Sequence, residues 1–167
     1  MVAGVFMLGM TLGKKRSEAL IPEKQMTQVG IIVDDIEKEV ATWSELLGLE
    51  EVPGISIASG HDSRPTMYRG LPTNATAKLA FFHLDNITIE LIEPDGKPST
   101  WQEFLDNNGP GIHHIAFNVP EMDAAVESLD KFGIEEVQHG GWGTGEYSYV
   151  DGGEKLSLII ELLEHYQ

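Results

Sequence analysis

The chain has 167 residues, 41% of them hydrophobic and 23% charged, the proportions of one globular domain with room for a sizeable core. It contains no Cys, which excludes a disulfide framework, a thiolate nucleophile and a zinc–thiolate site. Its formal net charge of -16 argues against nucleic acid or an anionic membrane surface as a partner, since both reward Lys and Arg.

Residues 1–25 read as an N-terminal extension. Val2 to Gly13 is apolar, and Lys14-Lys15-Arg16 follows it. The run is shorter than the roughly 20 residues that a bilayer-spanning helix needs. Its positive charges stand behind it, where a secretory signal places them in front. A cytoplasmic protein and a homodimer, with the apolar run covered by a partner, are the expectations.

A single domain is expected over 26–163. Module one, residues 27–93, opens with a buried strand, Thr27-Gln28-Val29-Gly30-Ile31-Ile32-Val33. Asp34 or Asp35 caps the helix that follows, and Ile36, Val40, Trp43 and Leu47 fall on one face of it. Gly48 ends that helix. A strand near 50–57 leads into a long loop, roughly 58–76, and loops of that length in compact domains are usually functional or disordered. Two strands, 78–84 and 86–92, complete the module.

The linker 94–111 holds a short helix opened by a capping box, Ser99-Thr100-Trp101-Gln102-Glu103, and running through Leu105. Module two, residues 112–163, repeats the plan: strand 112–119, a helix from about Glu121 to Lys131, strand 134–138, and strands around 147–150 and 156–163. Met122, Val126 and Leu129 give its helix a buried face. Glycines around Trp142 suggest a close-packed or mobile turn, and Asp151-Gly152-Gly153 suits a hairpin turn.

The chain is therefore a duplicated half-domain of order βαβββ, an α+β protein. Gln28 aligns with His114, Gly30 with Ala116, and Ile31 with Phe117. Strand alternation puts Val29, Ile31 and Val33, with Ile115, Phe117 and Val119, on the face that packs on helices. The other face carries Gln28, Gly30 and Ile32, and His114, Ala116 and Asn118, a mixture of small and polar residues that suits a cavity wall.

The last strands repeat as well. Ile89-Glu90-Leu91-Ile92-Glu93 matches Ile160-Glu161-Leu162-Leu163-Glu164. A carboxylate in the middle of an aliphatic strand is costly unless it is paired, hydrogen-bonded or bound to a metal. Duplication thus brings Gln28, Glu90, His114 and Glu161 into pseudo-two-fold symmetry. Two carboxylates offset the charge of a divalent ion, and an imidazole and an amide oxygen complete a ligand set. His113 has the opposite parity, and His61, His83, His139 and His165 have no repeat partner.

The duplicated βαβββ plan, the run His113-His114-Ile115-Ala116-Phe117 and the strand Ile89 to Pro94 resemble the vicinal oxygen chelate superfamily, the fold of glyoxalase I, methylmalonyl-CoA epimerase, bleomycin-resistance proteins and extradiol dioxygenases. The resemblance covers nearly everything from Met26 to Leu163. It implies a cup-shaped mixed β-sheet with helices outside, and metal ligands at Gln28, Glu90, His114 and Glu161. Gln at the first position is similar to the human-type, zinc-using glyoxalase I set, so zinc is expected, with nickel, cobalt or manganese as other ions.

The resemblance implies a glyoxalase-like lyase, isomerase or epimerase that moves a proton next to a carbonyl through a metal-stabilised enediolate. Glu161 is the expected base and Glu90 a second candidate. The alternative is a non-catalytic small-molecule-binding protein of the bleomycin-resistance kind. Ile32 and Pro110 stand where glyoxalase I has arginines, and Thr73 to Ala77 where methylmalonyl-CoA epimerases have Glu-Gln-Gly. Neither substrate is therefore carried over to this chain. Two His of the iron-binding dioxygenase set are not both present, so ring cleavage is not implied. Arg64, Arg69 and Lys78 gather in or beside the long loop and read as a clamp for an anionic carbonyl compound or a thioester, with Asn118 as a further substrate contact.

Overall fold

The structure, a computed structural model, describes residues 19–166; the apolar run and the basic triplet of the N-terminal extension lie outside the described residues. Module one contributes β1 (Met26–Ile32), α1 (Ile36–Leu47), β2 (Ser56–Ala58), the short β3 (Met67–Tyr68) and β4 (Leu71–Pro72), β5 (Ala77–His83) and β6 (Thr88–Pro94). After the linker helix α2 (Thr100–Asn108), module two contributes β7 (Gly111–Asn118), α3 (Met122–Lys131), β8 (Glu135–Trp142), β9 (Gly145–Asp151), the single-turn α4 (Gly153–Leu156) and β10 (Ile159–His165).

The strands form one mixed sheet in the order β2-β5-β6-β1-β7-β10-β9-β8-β3-β4. Its centre is the antiparallel pair β1–β7, flanked by β6 parallel to β1 and β10 parallel to β7. The duplication is visible here as a sheet whose halves meet along β1 and β7. Among the described residues no helix is long and apolar enough to cross a membrane.

Each module packs its helix on the outer face. Ile36, Val40, Trp43 and Leu47 of α1 meet Ala80, Phe82 and Leu91, and Met122, Ala125 and Leu129 of α3 meet Val150, Ile160 and Leu162. The helices start in matching ways. Glu93 accepts a hydrogen bond from the Ile36 amide at 2.7 Å, and Glu164 accepts one from the Met122 amide at 2.6 Å. The second carboxylate of each repeated strand is thereby accounted for: it satisfies an orphan N–H and lies at the positive end of a helix dipole. Asp35 is the N-cap of α1, accepting from the Lys38 amide, and Ser99 caps α2 through the Gln102 amide.

A third apolar cluster fills one end of the inner face. Trp101, Phe104 and Leu105 of α2 pack there with Ile32, Ile92, Ala116, Tyr147 and Tyr149. The linker helix is therefore a plug.

Several expected boundaries shift. The strand expected near 50–57 is shorter and ends one residue later, at Ser56–Ala58, with Pro53-Gly54 in the irregular chain before it. The linker helix continues past Leu105 to Asn108. Of the glycines near Trp142, Gly140 and Gly141 lie in β8 and Gly145 in β9, with Gly143 in the tight turn between them; a Cβ on Gly140 or Gly141 would press on Tyr147 or Arg64. Asp151-Gly152-Gly153 opens α4 in place of a hairpin turn, and β10 starts at Ile159. Residues 58–76 contain the β3–β4 hairpin, which crosses to module two and pairs Met67 with His139 and Tyr68 with Gln138.

Candidate metal centre and active-site cavity

Sheet register brings the four singled-out residues together. Gly30 sits opposite His114 across β1–β7 and beside Glu90 across β1–β6. Gln28 sits opposite Ala116, which is beside Glu161. All four side chains project from the concave face. The Gln28 side-chain amide donates to Glu90 Oε2 and to Glu161 Oε2, each at 2.9 Å. His114 Nε2 lies 3.1 Å from Glu161 Oε2 and 3.4 Å from Glu90 Oε2. His114, Glu90 and Glu161 are buried.

The imidazole fits because position 30 is a glycine: a Cβ there would come within 2.0 Å of the His114 ring. Opposite, the Tyr149 ring lies 5.0 Å from it, fixed by a hydrogen bond from Trp101 Nε1 to the Tyr149 hydroxyl at 3.0 Å. Burial opposes charge on His114, but Glu161 and Glu90 outweigh it and lift the imidazole to about 9. Burial likewise pushes the Glu90 carboxyl up, against the pull of His114, and Glu161 adds to the rise. Burial raises the Tyr149 phenol well above its usual range, with Glu161 reinforcing it.

The parity that set His113 apart does not hold. Ile31 pairs with Ile112 while Gly30 pairs with His114, so His113 is the extra residue of a β-bulge. The bulge turns His113 inward, buried, with Nδ1 at 3.0 Å from Nδ1 of His114 and its ring edge-on to Phe104 and Tyr149. Burial, with His114 adjacent, pushes its imidazole well below the ordinary value. A matching shift sits at Thr27 in β1, whose hydroxyl donates to the Ala116 carbonyl. Thr27 and His113 are equivalent in the repeat, so the bulge is duplicated too. A bulge leaves no mark in composition; the only sequence signal was the doubled polar pairs Thr27-Gln28 and His113-His114.

The cluster meets the requirements of a divalent ion. One donor atom each from Glu90, His114 and Glu161 lies within 4.8 Å of the others. The His114 contacts of 3.1 and 3.4 Å lie close to the roughly 3.3–3.6 Å edges of a tetrahedron of ligands bound at about 2.0–2.2 Å. His114 Nε2 is buried without an aligned hydrogen-bond partner, although both carboxylates are near. That nitrogen points at the space between them. Turning over the Gln28 amide, an assignment made from hydrogen bonding alone, presents Oε1 to the same space.

Gln28, Glu90 and Glu161 of the cluster form the floor of a cavity of about 730 Å³, a size typical of small-molecule sites, with His114 buried behind them. Asn118 lines it, as expected, with Oδ1 buried and unpartnered. Arg64, Arg69 and Lys78 do not line it. Arg69 is bound to both oxygens of Glu103 at 2.9 and 2.8 Å, and Lys78 bridges Glu37 and Glu93 at 2.8 and 3.0 Å on the helix side. Arg64 Nε lies 2.7 Å from Glu146, with Asp123 at 3.7 Å. The cationic loop is tied to the outside and to the module-two edge. Its acidic partners stand far away in sequence, which is why the pairing could not be read there.

Comparison with known proteins follows the same lines. Residues 27–149 match the Glyoxalase/Bleomycin resistance protein/Dioxygenase superfamily. The mitochondrial methylmalonyl-CoA epimerase of Homo sapiens is 31% identical over 124 residues, covering 71% of this chain and 62% of the human protein, less than two thirds of its length. An ethylmalonyl-CoA/methylmalonyl-CoA epimerase of Cereibacter sphaeroides is 29% identical over 117 residues, covering 70% and 76%. Among solved structures, the fold is similar to that of methylmalonyl-CoA epimerase from Mycobacterium tuberculosis, with TM-score 0.60, 22% identity and coverage of 89% and 91%. It is also similar to the Streptomyces coelicolor enzyme in complex with 2-nitronate-propionyl-CoA, with TM-score 0.61, 17% identity and coverage of 84% and 94%.

Proposed function

We propose, from the premise that this chain belongs to the Glyoxalase/Bleomycin resistance protein/Dioxygenase superfamily, that it is a metal-dependent epimerase or isomerase acting on a carbon next to a carbonyl. The observation that carries this reading is the convergence of Gln28, Glu90 and Glu161, one Glu from each module, on the floor of a cavity and against the buried His114. The epimerases among its relatives support the reaction class.

Gln28, Glu90, His114 and Glu161 would hold the ion, with zinc the first choice for this oxygen and nitrogen set and nickel, cobalt and manganese as alternatives. When bound, the ion supplies positive charge at the substrate's carbonyl oxygen, which acidifies the neighbouring C–H.

The remaining work falls to the chain itself. Glu161 accepts the proton from the α-carbon, and the C–H electron pair moves into the carbonyl system as charge shifts to oxygen. Glu90, in the other module, is the second candidate for proton transfer and, as an anionic partner of the ion like Glu161, would act only once the bound substrate loosened it. In the metal-free protein Gln28 donates to both carboxylates and so fixes their spacing. Tyr149 and the α2 plug close the inner end of the site and exclude water from it. A thioester or a free ketone or aldehyde provides the acidic C–H that this scheme needs.

A homodimer is also inferred, supported by the exposed apolar residues Leu46, Val52 and Ile57 and by the position of β2 at one end of the sheet. Sedimentation at micromolar concentration should give twice 18.4 kDa; a monomer contradicts the inference.

The direct test of the reaction is α-deuterium incorporation in D2O, with zinc-reconstituted protein and a panel of acyl thioesters and 2-hydroxycarbonyl compounds. Exchange is expected with at least one class and should fall at least a hundredfold in Glu161→Gln. Tight binding without exchange across the panel would favour the small-molecule-binding alternative.

A further inference from the structure

The reading of the cluster as a reacting floor leaves open what kind of molecule stands on it, and the charges around the cavity bear on that. Glu90 and Glu161 are both buried in the floor. Among the described residues, neither Lys nor Arg contributes to the lining. The three cations nearest in sequence are held outside by Glu146, Glu103, and Glu37 with Glu93. Two carboxylates already neutralise a divalent ion, so a substrate carboxylate would bring an uncompensated negative charge into a buried site. The imidazoles of His61, His83 and His165 stand at the exposed mouth.

Much of the rest of the wall is apolar, interspersed with the hydroxyls of Thr27, Ser56, Ser59 and Thr88. Leu79 and Phe81 of β5 form one side, and Trp142 and Leu163 form the other. Trp142 is fixed by a hydrogen bond from its Nε1 to Thr144 at 3.0 Å and lies edge-on to His165. Asn118 Oδ1, an acceptor, is buried in this wall without a partner and calls for a donor from the ligand. A hydroxyl or an amide N–H supplies one, and with the Asn118 amide turned over an acceptor meets its N–H in the same place.

We infer that the cavity selects a carbonyl compound whose buried part is uncharged, with an aryl or branched alkyl group against the apolar lining of Phe81 and Trp142 and a polar group turned to Asn118. A malonyl-type carboxylate is excluded from the floor. This inference rests on the cavity being the substrate site of the proposed epimerase, and it concerns which substrates that site accepts.

The test uses two probes of equal size that differ in charge, phenylglyoxylamide and phenylglyoxylate, titrated calorimetrically at pH 8, where an ordinary imidazole is neutral. Both zinc-loaded and metal-free protein are used. The amide should bind at least tenfold more tightly than the carboxylate in both forms. Trp142→Ala should weaken the amide at least tenfold with metal content unchanged. Arg69→Ala and Lys78→Ala should leave the ratio as it was. Equal or tighter binding of phenylglyoxylate overturns the inference, as does binding of neither probe at millimolar concentration. Loss of carboxylate binding in Arg69→Ala or Lys78→Ala restores the cationic clamp in its place. If the carboxylate wins while α-deuterium exchange proceeds, this inference alone fails. If exchange is absent while the amide wins, the epimerase reading fails and the charge preference stands.

Discussion

The His114 imidazole occupies space that exists because Gly30 has no side chain, between two carboxylates and in front of Tyr149. Adding one methyl at Gly30 forces the ring out of place. Gly30→Ala is expected to cost about 1–3 kcal/mol of stability, the range for overpacking a closed site, and to weaken metal binding further. A thermal melt with a metal titration checks both; an unchanged metal affinity would show that His114 can move freely. The raised His114 value also sets a pH dependence. A group lifted from 6.5 to about 9 adds stability that is full below pH 6.5 and is lost as the pH rises through 9. Metal-free protein should therefore lose stability across that window. Metal affinity should climb across the same window, because binding must release the proton from His114. Denaturant midpoints at pH 6 and pH 9, with and without zinc, give opposite slopes if this is right.

At the scale of elements, the same strand carries two carboxylates with different tasks. Glu90 and Glu161 face the cavity, whereas Glu93 and Glu164 anchor the starts of α1 and α3. Glu164→Gln should cost about 1 kcal/mol through the helix N-terminus and leave metal binding intact. A loss of metal in that variant would mean the two roles are not separable. The meeting of Gln28, Glu90, His114 and Glu161 was legible in the sequence because duplication doubled every signal and strand alternation assigned the face. What alternation could not show was the pair of bulges at Thr27 and His113, which place two successive residues on one side. It also could not show that β3–β4 leaves module one to pair with β8, since the pairing Met67 to His139 has no local signature. Arg64, Arg69 and Lys78 looked like a clamp in one dimension; in three dimensions each has an acidic partner supplied by another element.

At the scale of the molecule, the fold consists of two half-domains joined along β1 and β7, and each half contributes one buried Glu and one polar residue to the seam. Such a seam is costly when empty of compensation, because buried carboxylates need a partner charge. In the metal-free protein protonated His114 and the Gln28 amide provide that compensation; a divalent ion would take it over. The measurement that bears most directly on this account is the zinc content per chain, by elemental analysis after reconstitution and gel filtration, of the natural protein and of Glu90→Gln/Glu161→Gln. One ion per chain in the first and less than about a tenth in the second is the expected result, since losing both anionic ligands removes the charge that holds the cation. Full occupancy in the double variant, or no ion in the natural protein, would contradict it.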